Sequence, residues 1–422
     1  MFLSFKSRLA GSAALCLALG VLPQVAQATE GYFALAYGTA QRGVAGAGVA
    51  YSQDAMSGAI NPASVASVGH ELNFGVELFS PRRGYTATGT GFVAPGSVDS
   101  GREYFIVPNF AWNKPLANGA VLNVSVYGNG GMNTSYPALA NTSPGCGGGP
   151  GVFCGGEAGV DLNQLFVSVA YAKKDGAFSW GIAPTLAVQS FAAKGLGAFA
   201  PMSVDPTRLT NRGHDISWGL GLRAGVQYEV SPQLTLGISG QTKFNMSKFD
   251  DYAGLFANGG EFDIPASISA GLAFRPRPDL TLMLDYQKIF YSDIGAVGNA
   301  TDAGALGAPG GAGFGWDDVD VVRLGAEWQQ TPDMTWRVGY AHATNPVGPE
   351  DVTMNILAPG IVQDHFSLGG SKQLNDRDRL DFSVSYVTSN TVSGAIPVTF
   401  GGGTAELEMH QVSAAIGWTR KF

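Results

Sequence analysis

The chain has 422 residues, 60 of them glycine, and only 14% are charged. Soluble globular domains carry about a quarter charged residues, so glycine and aromatic residues have displaced the usual solvated surface, which fits no ordinary soluble enzyme. The net charge of −8 argues against a nucleic-acid partner, and no basic stripe with interleaved aromatics is present.

The first 28 residues read as an export signal. Lys6 and Arg8 precede an apolar run over residues 9–22, Pro23 interrupts it, and Ala26-Gln27-Ala28 supplies the small residues of a cleavage site. The mature chain is expected to start at Thr29. Cys16 lies within the apolar run, but Leu15 before it is too large for a lipoprotein signal. Cys146 and Cys154 are then the only mature cysteines, close together in "CGGGPGVFC", and in an oxidising compartment they are expected to form a disulfide.

Residues 29–69 are rich in Gly, Ala and Ser and poor in large apolar residues. They cannot build a core of their own. Beyond them no stretch of 18 apolar residues occurs, so no transmembrane helix is expected. Alternation recurs instead. Leu280, Leu282, Leu284 and Tyr286 oppose Thr281, Met283, Asp285 and Gln287, and the stretches "MTWRVGY" and "RLDFSVSY" repeat the pattern. A period of two is the strand signature. Candidate strands lie near residues 71–80, 103–113, 119–128, 162–173, 177–190, 214–229, 233–245, 261–274, 279–290, 318–329, 333–341, 362–373, 379–387 and 407–420.

The links between them alternate in length. Tight turns such as "KKDG", "VSPQ" and "QQTPD" are followed by glycine-rich loops of about 15 to 35 residues, the arrangement of an outer-membrane barrel with short periplasmic turns and long external loops. Only a closed barrel pairs every backbone group in lipid without helices. The fold class expected is all-β, a 14-stranded antiparallel transmembrane β-barrel over residues 70–422. Residues 29–69 then form either a hatch plugging the lumen or a disordered periplasmic tail. The chain ends with Val412, Ala414, Ile416 and Trp418 alternating down to Phe422, and Arg420, on that face, is expected to reach lipid phosphate.

Two long loops hold clustered apolar side chains: Phe191, Leu196, Phe199 and Met202, then Phe244, Met246, Phe249, Tyr252, Leu255 and Phe256. Exposed clusters of this kind mark binding surfaces, and the same residues would also serve to pack the loops together. Lys194, Arg208, Arg212, Lys243 and Lys248 stand nearby as candidate partners for a carboxylate. Asp285, Arg323, Glu327, Arg337 and Asp381 fall on the inward face, where a wet lumen would solvate them.

The stretch Gly43-Val44-Ala45-Gly46-Ala47-Gly48, followed by Asp54-Ala55 and Asn61-Pro62-Ala63, resembles the hatch of the FadL family of outer-membrane transporters for long-chain fatty acids and other hydrophobic compounds. The resemblance continues through "HDISWGLGLRAGVQYEVSPQLTLGIS", "IPASISAGLAFRPRPDLTLMLDYQ" and "WRVGYAHATNPV". It implies a monomeric barrel that captures ligand at its external loops, rearranges its hatch, and releases ligand sideways through a kink in the third strand. On this chain the kink would fall at Gly128, Gly130 and Gly131, residues that equally suit the start of a loop. Many fatty-acid members carry Tyr-Arg-Ser on the seventh strand where this chain has Gly240-Gln241-Thr242-Lys243, which leaves room for uncharged hydrocarbons. The expected partners are hydrophobic small molecules and the lipid and lipopolysaccharide of the outer membrane. No P-loop or nucleotide fingerprint calls for a cofactor. A general porin would share the barrel but not the plug or the apolar loops. A hydrolase would need a nucleophile beside one of His70, His214, His342, His365 and His410, which are scattered.

Overall fold

The computed structural model describes residues 29–422; the expected signal peptide, residues 1–28, lies outside the described residues. Fourteen long strands follow one another: β1 Glu71–Thr88, β2 Phe105–Pro115, β3 Ala120–Asn133, β4 Gly159–Asp175, β5 Phe178–Lys194, β6 Asp215–Ser231 and β7 Leu234–Gln241. The second half comprises β8 Ser267–Arg277, β9 Leu280–Ile289, β10 Val319–Thr331, β11 Met334–Ala343, β12 Asp364–Gln373, β13 Asp378–Ala395 and β14 Thr404–Lys421. Each pairs antiparallel with its neighbour, and β14 returns to β1 from Lys421 opposite Glu71 to Thr404 opposite Thr88. The ring is closed, which removes the unpaired edges that neither water nor lipid tolerates well. Two short strands, Gly96–Asp99 and Asn245–Met246, pair onto β1 and β6 from the long loops.

Lipid dictates the alternation. Phe74, Leu78, Leu282, Leu284, Leu324, Val338, Leu368, Val384, Val412 and Ile416 are exposed on the outer face, whereas Asn73, Glu77, Ser125, Gln227, Ser239 and Asp285 on the alternate positions are buried. All fourteen expected strands are present, but β1 and β13 run to Thr88 and Ala395, beyond the expected ends. Their upper turns are polar, so the apolar alternation stops at the lipid boundary while the pairing continues. At the other end the backbone N–H of Phe422 donates to the carbonyl of His70 at 3.0 Å. Arg420 lies 3.7 Å from Asp378, so a protein carboxylate meets the guanidinium that was expected to reach lipid.

Residues 29–69 sit within the ring and most are buried. They contain one helical turn, Thr39–Arg42, and two 3-10 helices, Ala55–Ala59 and Pro62–Ser67. Their backbone presses directly on the wall. A Cβ at Gly181 would collide with Pro62, at Gly225 with the Asn61 side chain, and at Gly339 with the backbone of Val44 and Ala45. Much of the glycine in the barrel is therefore the footprint of this plug.

Candidate functional site

Small residues let the plug fit, and polar ones hold it. Asp54 and Asn61 cap the two 3-10 helices, each accepting from a backbone N–H two residues on, Met56 and Ala63. The Asn61 amide also donates to the carbonyl of Val49 at 2.8 Å and of Val226 on β6 at 3.2 Å, tying plug to wall. Pro62 occupies the first helical position and Ala63 is fully buried. Gly43 closely approaches Gly369 on β12, and Gly46 adopts φ +81° where a Cβ would overlap the Leu35 carbonyl. Gly48 and Val49 donate their N–H groups to Asp285 at 2.6 and 2.9 Å.

The inward charges were expected to face water, and the structure corrects this. Arg323 lies 2.5 Å from Glu30, Arg379 3.3 Å from Asp54, and Arg42 2.6 Å from Glu77, with five of these six side chains at most 6% exposed. Tyr51 donates to Glu327 at 2.6 Å, Glu327 pairs with Arg337, and Asp381 pairs with Arg337 and Arg379. The plug covers these positions and supplies several of the partners, among them Glu30, Tyr51, Asp54 and the backbone of Gly48 and Val49. Sequence reading named Asp54 only within the hatch resemblance and passed over Glu30, Arg42 and Tyr51; their polar character within a stretch rich in small residues was the available signal.

Above the plug, the wall is interrupted. Strand β2 pairs with β3 only from Phe110 opposite Val126 to Pro115 opposite Val121. Among the described residues, 105–109 and 127–133 have no pairing with each other. On its other side β3 keeps pairing with β4 to Asn133, but Gly128 faces Leu165 and Gly130 faces Gln164, leaving Asn129 as an extra bulged residue. Gly128, Gly130 and Gly131 thus belong to the strand, at its bulge. The tip of the plug covers the gap from inside. Ala34 N–H donates to the Asn129 carbonyl at 2.9 Å, and Gly131 N–H donates to the Tyr32 carbonyl at 3.1 Å. A Cβ on Gly130 would overlap that same Tyr32 carbonyl, so only glycine permits this approach.

The apolar loop residues are not an exposed patch. Phe191, Leu196, Phe199, Phe244, Met246, Phe249, Tyr252, Leu255 and Phe256 are all buried, and Met202 is half-buried against them. Phe191 is in fact the inward end of β5. The loops fold over the barrel mouth and their side chains pack inward. Phe191 lies 4.7 Å from Phe256, which lies 4.9 Å from Phe262; Phe262 and Trp316 each lie 6.0 Å from Tyr32 at the plug tip. An aromatic path therefore leads from the loops to the gap. Tyr32, Phe262, Tyr291 and Trp316 complete it and were not among the expected binding residues, because they are far apart in the sequence and only the fold brings them together.

The candidate carboxylate partners are already engaged. Lys194 lies 3.7 Å from Glu157, Arg208 3.7 Å from Asp205, and Arg212 3.7 Å from Asp251. Lys243 lies 2.9 Å from Asp263, a hydrogen bond that raises its pKa, and Lys248 donates to the Asn258 carbonyl at 2.5 Å. The disulfide between Cys146 and Cys154 is formed, with Cα atoms 5.1 Å apart. Next to it Phe153 is buried 4.9 Å from Phe199, so the bridged loop delivers one side chain to the aromatic core. His214 and His342 face Asp161 and Asp364 at 3.2 and 2.9 Å, in partly exposed pairs with no nucleophile in them.

A family profile described as "Outer membrane protein transport protein (OMPP1/FadL/TodX)" matches residues 21–419. No curated protein matches the chain in sequence. Among solved structures, the toluene transporter TodX of Pseudomonas putida superposes with a TM-score of 0.69 at 16% identity, covering 93% of this chain and 100% of that one. A Pseudomonas aeruginosa FadL homologue gives 0.67 at 16% identity, covering 93% and 100%. The toluene transporter TbuX of Ralstonia pickettii gives 0.62 at 17% identity, covering 92% and 99%. At these identities the likeness establishes the shared fold.

Proposed function

Because the chain belongs to the OMPP1/FadL/TodX family of outer-membrane transport proteins, we propose that it takes up hydrophobic small molecules by passive diffusion, from the aromatic core under the external loops to the membrane through the gap between β2 and β3. The observation that carries this reading is the gap itself, with the plug tip paired across its inner side. Capture exchanges side-chain contacts in the loop core for ligand contacts, and each buried methylene contributes about 0.8 kcal/mol. No free cation is needed for that step, and the loop cations are paired with protein carboxylates or carbonyls. Neutral hydrocarbons are therefore accepted at the entrance, in keeping with the toluene transporters among the structural neighbours.

Downward passage would drive an apolar molecule into the ion-paired interior below. Sideways passage keeps it in apolar surroundings throughout. The body of the plug, bolted by Arg42, Asp54 and Asn61, stays in place, and the tip over residues 29–37 moves aside. Deleting Asn129 removes the bulged residue, brings β3 into register and closes the gap. Uptake of radiolabelled toluene into cells expressing the variant is expected to fall to the level of cells lacking the protein, with the barrel still folded by its heat-modifiable gel mobility. Undiminished uptake by the folded variant would refute lateral release.

A further inference from the structure

On the outer face, Leu78 of β1, Ile106 of β2 and Val412 of β14 are exposed, as lipid-facing side chains are. Toward the loops the outward positions turn polar, with Arg82 of β1 opposite His410 of β14 and Gly84 opposite Glu408. At this level β1 changes partner. Its pairing with β2 ends at Phe79 and its pairing with the short strand Gly96–Asp99 starts at Gly84, so residues 80–83 have no ladder on that side beyond one bond from the Ser100 N–H to the Arg83 carbonyl at 2.8 Å. The interruption leaves a pocket of about 310 Å³ lined by Arg82, Arg83, Asp99, Glu103, Glu408 and His410, which reaches from the outer face to a buried arginine.

The charges in this pocket are of both signs and only some are matched. Arg82 and Glu103 pair with each other. Arg83 is 5% exposed, one of its terminal nitrogens donates to the Arg102 carbonyl at 2.5 Å, and its Nε has no partner. A buried guanidinium with donors to spare calls for an anion. Asp99 and Glu408 are exposed and form no ion pair among the described residues, although Glu408 accepts from the Ser389 hydroxyl at 3.2 Å; they call for a cation. An anion alone would be repelled by the two carboxylates, and a cation alone by the two arginines. A phosphate carrying a divalent ion meets both demands. Arginine suits phosphate oxygens, and Mg²⁺ is typically held by one or two carboxylates together with phosphate oxygens and water, not by a cage of protein ligands. Among the described residues, no three His, Cys, Asp or Glu side chains are grouped to hold a metal by themselves.

We propose that this pocket binds a phosphate of outer-leaflet lipopolysaccharide together with a divalent cation, with Arg82 and Arg83 donating to the phosphate and Asp99 and Glu408 holding the ion that bridges to it. The position favours a lipid over a free phosphate, because Leu78, Ile106 and Val412 lie just below on the same face and offer the acyl chains of that lipid an apolar surface. The head group would tie β1 to the short strand where the wall lacks its own ladder. The site lies on the outside of the barrel, so this assignment does not depend on the uptake reading above.

The test titrates the full-length protein, purified in a mild detergent, with bisphosphorylated lipid A and reads binding by native mass spectrometry in Mg²⁺ and in EDTA. The wild type is expected to bind about tenfold or more tightly in Mg²⁺, and to lose a similar factor when the phosphates are removed from the lipid. Glu408→Gln, an exposed change, should abolish the difference between Mg²⁺ and EDTA, whereas Glu406→Gln, two residues along the same face and outside the pocket, should keep it. Arg83→Gln should weaken binding about tenfold in Mg²⁺; should that variant not fold, the wild type and Glu408→Gln decide. Binding that ignores Mg²⁺ or the phosphates, a folded Arg83→Gln that binds as the wild type does, or a Glu408→Gln that behaves as Glu406→Gln overturns the assignment. Inorganic phosphate that displaces the lipid as effectively as a second lipid A does would show the source to be free phosphate and overturn it as well.

Discussion

The ion pair between Glu30 and Arg323 fixes how firmly the plug tip is docked, and Arg323→Met tests it. Glu30 is 1% exposed at its side chain, and Arg323 is the only donor to its carboxylate among the described residues. Removing the arginine leaves a buried carboxylate unpaired, a change that costs about 3–5 kcal/mol. What remains at the tip is mainly neutral: Tyr32 and Phe33 donate to the Tyr291 hydroxyl at 3.1 Å, Ala34 donates to Asn129, Gly131 donates to Tyr32, and His365 meets the Thr29 carbonyl at 3.1 Å. Such hydrogen bonds contribute about 1 kcal/mol each, so the lost pair is comparable to all of them together. The undocked population should rise by roughly 10²–10⁴-fold. Ala34 is 4% exposed, and Ala34→Cys is a small change, so its labelling by a water-soluble maleimide reports undocking. The labelling rate should rise by the same factor in Arg323→Met and return most of the way in Arg323→Met with Glu30→Leu, where no charge is left unpaired. A rate within about threefold of the parent would show that the pair does not hold the tip, because that is the spread of effects expected from packing alone.

Two further predictions bear on the plug body and the loops. Gly339→Val places side-chain atoms where the backbone of Val44 and Ala45 lies, so the plug must shift and single-channel conductance in planar bilayers should rise; Gly240→Val, whose Cβ comes no closer than 3.6 Å to Ser267, should leave it unchanged. Replacing Cys146 and Cys154 with serine releases a bridge of sequence separation 8, worth about 2–3 kcal/mol by loop closure. Because the bridge joins no strands, proteolysis within residues 134–158 should accelerate while the thermal midpoint of the barrel stays constant, and a fall in that midpoint would show the loop to be part of the cooperative unit.

The strands were legible because lipid imposes one rule on the whole outer face: Leu282, Leu284 and Tyr286 had to alternate with Met283 and Asp285. The loops were not, because Phe249 and Phe256 read the same whether they face water or each other, and only the fold decides that they lie under a common roof. The inward charges were legible as inward, yet their partners were not. Glu30, Arg42 and Asp54 follow no period, since the plug is neither helix nor strand over most of its length. Likewise "GNGG" marked a weak point in β3, but that Asn129 is the extra residue follows only from its register against Leu165 and Gln164.

The contacts of residues 29–69 divide into a firmly held body and a lightly held tip, as the proposed uptake route requires. Arg42, Asp54 and Asn61 lock residues 38–69 to β1, β13 and β6 through buried charge and a three-way amide, contacts that are costly to break singly. The tip over residues 29–37 rests on one ion pair and a few neutral hydrogen bonds, two of which run from its backbone to the bulged strand itself and others to Tyr291 and His365. A ligand arriving at Tyr32 and Trp316 from the aromatic core meets the least firmly held part of the plug first. On the uptake route proposed above, it would displace the tip without unseating the body, so that the gap would open toward lipid while the passage to the periplasm stayed shut.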